Sequence, residues 1–139
     1  MSKKIGFTCG AFDLLHAGHV IMLEECASQC DELVVGLQVN PQVDRKYKNI
    51  PIQSLVERFI QLSATKFVDK VIPYETEEDL LEILTSIPID YRFIGSDWKG
   101  KEFTGKNLSG KKYTIIYNTR DHCFSSSNLR KKINESASA

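Results

Sequence analysis

The chain has 139 residues, of which 42% are hydrophobic and 26% charged, as expected of a folded domain and not of a disordered segment. Its 18 basic and 18 acidic residues balance, which argues against a general binder of nucleic acid or of anionic membranes. No apolar run approaches the roughly 20 residues of a membrane helix, and the first residues lack the apolar segment of a signal peptide. We therefore expect a cytoplasmic protein without nucleic-acid or membrane partners.

Apolar runs alternate with amphipathic stretches along the chain. Strands are predicted at residues 4–9, 32–39, 68–73, 90–95 and 113–117, and helices at 20–30, 54–66, 77–87 and 125–133. This alternation predicts a Rossmann-like, three-layer α/β/α fold with a five-stranded, mostly parallel sheet. A single domain is expected over residues 1–133, followed by a flexible tail at 134–139.

Ligands in such folds bind beyond the carboxyl ends of the strands, near the point where the strand order reverses. Three segments leave such strand ends, at residues 10–19, 95–99 and 120–127. A long loop rich in glycine and lysine, residues 96–112, exceeds ordinary connections in length, which favours a functional or mobile segment.

Residues 10–19, GAFDLLHAGH, place two histidines three positions apart where a strand gives way to a helix. Gly10 is expected to turn the chain sharply, and Gly18 to leave room beside the rings. His16 and His19 lie one helical turn apart, so both can face an anion at the helix start, where N–H groups are unpaired. The alternatives are a simple helix cap and a zinc site. No third ligand is evident for zinc, so no protein-bound metal is predicted.

These residues resemble the signature of the HxGH nucleotidylyltransferase superfamily and, within it, the small cytidylyltransferases. Glycerol-3-phosphate cytidylyltransferases are the nearest pattern. Residues 95–100, GSDWKG, resemble that family's GDDWxG segment. Arg120 together with residues 124–130, FSSSNLR, resembles its RTxGISTTxIK end. The likeness extends over nearly the whole chain, to about Ile133.

The resemblance implies transfer of CMP from CTP to a small phosphorylated acceptor such as glycerol 3-phosphate. Attack on the α-phosphate would be direct and in line, pyrophosphate would leave, and Mg²⁺ would bridge the CTP phosphates. A homodimer is also implied. The implied catalytic residues are His16, His19, Lys46 and Arg120. The implied nucleotide-binding residues are Cys9, Gly10, Ala11, Phe12, Gly18, Asp97, Ser125, Ser126 and Ser127. The implied substrate-binding residues are Asp13, Lys48, Arg58 and Trp98.

The sequence departs from the family pattern most clearly after Pro73. Glu75, Glu77, Glu78 and Asp79 stand where the family has basic residues that contact the acceptor phosphate. An acceptor with an amine, such as phosphoethanolamine, or a sugar phosphate is therefore an alternative. Adenylyltransferases for heptose phosphate, pantetheine phosphate or flavin share HxGH, so the base is open too. A further alternative is a non-catalytic nucleotide-binding regulator with the same fold.

Overall fold

The computed structural model describes residues 2–42, 50–119 and 126–138. Its strands are β1 (Ile5–Gly10), β2 (Glu32–Gln38), β3 (Lys70–Tyr74), β4 (Tyr91–Gly95) and β5 (Thr114–Asn118). Its helices are α1 (Ala17–Ala27), α2 (Leu55–Ser63), α3 (Glu77–Ser86) and α4 (Ser126–Ser138), with single 3-10 turns at Ser96–Trp98 and Lys106–Leu108. Within these ranges no helix is both long and apolar enough to cross a membrane.

The five strands form one sheet in the order β3-β2-β1-β4-β5, and all of its pairings are parallel. The chain proceeds outward from β1 through β2 to β3 and then returns to place β4 on the other side of β1. The strand order therefore reverses between β1 and β4, which puts a crevice at the carboxyl ends of these two strands. The predicted Rossmann-like α/β fold is confirmed, and the described sheet is wholly parallel where a mostly parallel one was expected.

Both faces of the sheet are covered, as the continuous apolar run in β2 predicts. Leu33, Val35 and Leu37 point to the face that packs against α1 and α2, whereas Val34 points to the face that packs against α3. This alternation follows from the two-residue period of a strand. The phosphate-binding candidates after β1 and the acidic start of α3 thus belong to opposite faces.

Element boundaries differ from the sequence prediction for identifiable reasons. Helix α1 begins at Ala17 instead of residue 20, because His16 caps it. Helix α4 runs to Ser138 where fraying was expected beyond Ile133, since residues 134–138 contain neither glycine nor proline to stop it. Helices α2 and α3 each begin at a capping box, formed by Ser54 with Glu57 and by Thr76 with Asp79.

The loop between β4 and β5 is packed against the domain through its middle. Tyr113 Oη donates a hydrogen bond to the Gly105 carbonyl over 2.6 Å, and the Arg92 guanidinium donates to the Thr104 carbonyl. Gly105 has a φ of +81°, and a Cβ there would stand 2.6 Å from Tyr113 Oη and 2.8 Å from Arg92 Nη1. Gly105 is therefore required both by backbone conformation and by space.

We predict that Gly105→Ala destabilises the domain by about 1–3 kcal/mol more than Gly100→Ala does. Gly100 has a similar φ of +79° but nothing within 4 Å of its would-be Cβ, so it carries the backbone strain without the clash. Urea unfolding midpoints at an unchanged m-value measure the difference. Equal midpoints for the two variants would show that the loop is not packed as described.

Candidate active site

A cavity of about 470 Å³ opens at the carboxyl ends of the strands. Every strand contributes to its lining through Gly10, Gln38, Tyr74, Gly95 and Asn118. This is the position that the strand order predicts for a ligand, and the size is ordinary for a small-molecule site. The segments that begin at Gly10 and Gly95 meet here, as expected from the sequence.

The turn after β1 is backbone-strained. Phe12 has a φ of +49° and Leu14 a φ of +53°, a region that non-glycine residues adopt at a cost of about 1–3 kcal/mol each. Gly10 is instead the last residue of β1 and has no such φ, so the expectation that Gly10 makes the sharp turn is wrong. The chain turns instead at Phe12 and Leu14, two and four residues after Gly10, and neither of these residues is a glycine.

Asp13, between these two strained residues, fixes the turn against the segment that precedes α2. Its carboxylate accepts hydrogen bonds from the backbone N–H groups of Ile52 over 2.8 Å and Gln53 over 2.9 Å. Gln53 returns a contact, because its Oε1 accepts from the Leu14 N–H over 2.8 Å. A buried carboxylate with this many donors can hold an otherwise unfavourable backbone in place.

The Asp13 carboxylate also forms an ion pair with Arg130 of α4. Burial acts to raise the pKa of Asp13, but the two backbone donors and the Arg130 charge outweigh it and hold the pKa below its ordinary value. Arg130 itself lines the cavity. The ion pair thus ties the last helix to the turn that carries the histidines.

Arg58 of α2 supports the same turn from below. It is 2% exposed and donates to the backbone carbonyls of Ala11 (3.1 Å), Gln38 (2.6 Å), Val39 (2.7 Å) and Gln53 (3.2 Å). These contacts favour a positioning role for Arg58 over the substrate contact expected from the resemblance. Asp13, equally engaged with the protein, is assigned a positioning role for the same reason.

The two histidines cap α1 reciprocally. His16 Nδ1 accepts from the Gly18 N–H over 3.0 Å, and His19 Nδ1 accepts from the His16 N–H over 3.2 Å. The rings lie against each other with centroids 4.0 Å apart. An imidazole whose Nδ1 accepts carries its proton on Nε2, so each ring has an Nε2–H donor. His19 is among the residues that line the cavity, and His16 lies against it outside the lining.

His19 is held in its neutral form. Burial, with the adjacent His16 ring adding to it, lowers the pKa of His19 to about 4, against a smaller opposing effect of Asp13. His19 lines the cavity. At neutral pH it therefore offers a hydrogen bond to an incoming phosphate without presenting a fixed positive charge. The histidine pair can cap the helix and bind an anion at the same time, because the cap uses the Nδ1 atoms and an anion would be bound by the Nε2–H groups.

The other expected site residues divide into three groups. Cys9, Gly10, Ala11, Phe12, Asp13 and Trp98 line the cavity with His19. Gly18 is buried within α1, Arg58 lies beneath the turn, and Asp97 is exposed outside the cavity lining. Lys46, Lys48, Arg120 and Ser125 lie outside the described residues, and only the backbone placement of Ser126 and Ser127, at the start of α4, is described.

Several cavity residues were not anticipated from the sequence. They are Thr8, Met22, Tyr74, Arg92, Phe103 and Asn118. The sequence did contain one signal: Arg92 interrupts the otherwise apolar strand YRFIG. Charged side chains are rarely buried unless they are paired, so an arginine in a central strand indicates a specific role. Within the described ranges, no group of three or more histidine, cysteine or acidic side chains could hold a metal ion.

We predict that Asp13→Asn lowers the free energy of unfolding by about 2–4 kcal/mol, because it removes one backbone acceptor and the charge opposite Arg130. Asp31→Asn is the matched control: Asp31 is exposed and accepts one backbone hydrogen bond, from Lys4 over 2.8 Å. That control should lose less than about 1 kcal/mol by urea unfolding. Similar losses in both variants would contradict the role given to Asp13.

The second prediction concerns how the free energy of unfolding depends on pH. Because the folded pKa of His19 is about 4 and the unfolded value about 6.5, the unfolded state binds the proton first as pH falls. Stability due to neutral His19 is therefore complete above about pH 6.5 and is lost toward pH 4. Relative to His19→Asn, which cannot titrate, the natural chain should lose about 1–2 kcal/mol between about pH 7 and about pH 5. Parallel stability curves for the two proteins would contradict the assignment of a neutral, half-buried His19.

Comparison with known proteins agrees with this geometry. The chain is 42% identical over 107 residues to the Bifunctional protein HldE of Campylobacter concisus (strain 13826), covering 76% of this chain and 22% of that protein. It is 35% identical over 134 residues to the Bifunctional protein HldE of Campylobacter jejuni (strain RM1221), covering 96% of this chain and 28% of that protein. The chain thus spans about a quarter of the length of these relatives.

Among solved structures, the lipopolysaccharide core biosynthesis protein from Thermoplasma volcanium is similar with a TM-score of 0.68 and 27% identity, over 86% of this chain and 100% of that one. Pantoate-beta-alanine ligase from Francisella tularensis, at 19% identity and a TM-score of 0.65 over 92% of this chain and 65% of that one, shares the fold. The family model described as cytidylyltransferase-like matches residues 7–132. The chain therefore belongs to the cytidylyltransferase-like family of HxGH nucleotidylyltransferases.

Proposed function

We propose that this nucleotidyltransferase transfers AMP from ATP to the phosphate of a sugar phosphate, of the heptose phosphate type, and releases pyrophosphate. The observation that carries the transfer chemistry is the histidine pair, whose Nδ1 atoms are both engaged as acceptors at the start of α1. The choice of ATP and of a sugar phosphate is supported by the HldE relatives and by the lipopolysaccharide core biosynthesis protein, which matches over its full length.

The acceptor phosphate needs no general base, since its second pKa of about 6 leaves it largely dianionic at neutral pH. One of its oxygens attacks the α-phosphorus, a new P–O bond forms, and the bond to the β-phosphate breaks with its electron pair leaving on pyrophosphate. Nε2–H of His16 and of His19 would donate to non-bridging oxygens of the α-phosphate as charge gathers on them. The helix start adds its own positive end to the same region.

Mg²⁺ is expected to bind as a complex with the triphosphate. The Asp13 oxygens are engaged with Ile52, Gln53 and Arg130, so they are not the natural ligands of an added ion. The donor set of the described residues instead suits an ion carried by phosphate oxygens and water. When bound, the ion would offset charge on the transferring phosphates.

A second candidate is the cytidylyltransferase activity with glycerol 3-phosphate that the sequence pattern implies. The observation that favours it is Trp98, which belongs to the GSDWKG segment and lines the cavity. The acidic start of α3 weighs against it, since the glycerol-3-phosphate pattern has basic residues in this segment, whereas here Glu77 lines the cavity. A homodimer remains a proposal that sedimentation can test.

The substrate test is a matrix of nucleotides and acceptors. Purified protein with Mg²⁺ is mixed with ATP or CTP and with a heptose phosphate, another sugar phosphate, glycerol 3-phosphate or phosphoethanolamine, and pyrophosphate is measured. We expect release with ATP and a sugar phosphate. Release with CTP and glycerol 3-phosphate alone would overturn the proposal. Nucleotide binding without release for any acceptor would support the non-catalytic regulator.

The histidine roles are tested by paired substitutions. In Asn the side-chain oxygen stands near the position of Nδ1, so His16→Asn and His19→Asn keep the cap but lose the distal donor. We expect each to cut turnover by roughly 10²-fold with little change in stability. His16→Gln and His19→Gln place an N–H near Nε2 and should retain more activity than the Asn variants. Full turnover in an Asn variant would remove that histidine from the mechanism.

A further inference from the structure

The cavity extends from the histidine turn toward the face of the sheet covered by α3. The lining there comprises Cys9, Tyr74, Glu77, Arg92, Phe103 and Thr104, which we call the α3-side subsite. None of these residues has a role in the transfer step described above. They come from β1, β3, α3, β4 and the loop between β4 and β5, so the subsite exists only in the folded chain.

Arg92 is the unusual member of the α3-side subsite. It is 2% exposed, and its Nε is buried without a hydrogen-bond partner among the described residues. Its Nη1 donates to the Thr104 carbonyl and to Tyr113 Oη, the latter over 3.2 Å. The guanidinium also lies against the Phe103 ring, 5.1 Å from its centroid. The contacts to Thr104 and Tyr113 hold the loop but leave the Nε donor unmet, and a buried donor without a partner is destabilising.

Among the described residues, no carboxylate lies close enough to Arg92 to form an ion pair. Burial raises the pKa of both the Cys9 thiol and the Tyr74 hydroxyl, so both neighbours stay protonated and neutral at working pH. A ligand group that accepts hydrogen bonds would complete the site.

The rest of the subsite limits what that ligand can be. Glu77, half-buried in the first turn of α3, brings a carboxylate, which accepts hydrogen bonds and repels anions. Trp98 and Phe103 form an edge-to-face pair with centroids 6.3 Å apart, and both line the cavity. These groups together suit an uncharged ring that bears hydroxyl groups. Each hydroxyl can accept from the cationic donor and donate to the anionic acceptor, and the C–H faces of the ring can pack on the aromatic side chains.

We propose that the α3-side subsite binds the hydroxyl-bearing ring of the acceptor, with Arg92 donating to ring hydroxyls and Glu77 accepting from them. This inference rests on the proposed function, in which the acceptor is a sugar phosphate. Because the subsite and the histidine turn belong to one cavity, a ring held here directs its phosphate toward the α-phosphate of the nucleotide. Of the acidic residues after Pro73, Glu77 thus selects a polyhydroxylated acceptor by accepting hydrogen bonds from its hydroxyl groups.

The test measures KM for each substrate in Arg92→Met, Arg92→Lys and Glu77→Gln. We expect KM for the sugar phosphate to rise about tenfold or more in Arg92→Met and Glu77→Gln, while KM for the nucleotide changes less than about twofold. Arg92→Lys should fall between. Glu78→Gln is the matched control, since Glu78 lies in the same helical turn but is exposed and outside the cavity lining; it should behave as the natural chain. An unchanged nucleotide KM also shows that each variant is folded.

Acceptor analogues sharpen the result. Removing single hydroxyls from the sugar phosphate should raise its KM in the natural chain. For the analogue that lacks the hydroxyl bound by Glu77, Glu77→Gln should cause no further rise in KM. If the natural chain transfers to sugar phosphates but Glu77→Gln matches Glu78→Gln, the subsite assignment is overturned and the proposed function stands. A preference for uronic acid phosphates over neutral sugars would also overturn it, in favour of a carboxylate at Arg92. No transfer to any sugar phosphate would overturn both proposals.

Discussion

The site depends on one strained turn between β1 and α1. Phe12 and Leu14 adopt positive φ values that their side chains disfavour, and they persist because Asp13 and Arg58 fix the backbone on either side. The turn decides where α1 begins, and therefore where His16 points its ring. Strain that is compensated by buried hydrogen bonds is a common property of sites that must be rigid before the ligand arrives.

The same turn determines which nitrogen carries the proton in each ring of the histidine pair. Using Nδ1 of His16 and His19 for the helix cap leaves the protons on the Nε2 atoms. A neutral donor has an advantage here: it contributes little to holding the ground-state triphosphate, yet its hydrogen bond strengthens as charge develops on the transferring group. The ion pair between Asp13 and Arg130 links this arrangement to α4, so that one carboxylate contacts both the turn before α1 and helix α4.

The sequence allowed the fold and the family to be predicted, because both depend on local signals. Alternating apolar periods indicated the strands and helices, and the HxGH spacing indicated the paired rings at a helix start. The strained turn was not predictable, because phenylalanine and leucine rarely adopt positive φ and nothing in the local sequence indicates it. The groups that stabilise the turn, the N–H groups of Ile52 and Gln53, lie about forty residues away in the chain. Arg92 was missed for a similar reason: its surroundings are assembled by the loop between β4 and β5, which local patterns left without structure.

The most direct test of the site is nitrogen-15 NMR of the histidine rings at neutral pH, which is tractable because the chain has only 3 histidines. The spectra are recorded for the free protein and with a non-hydrolysable ATP analogue and Mg²⁺. The structure predicts that His16 and His19 are neutral with the proton on Nε2, and that the analogue shifts the Nε2 resonances while Nδ1 stays an acceptor. Protons on Nδ1, or charged rings in the free protein, would contradict the arrangement from which the transfer chemistry is derived.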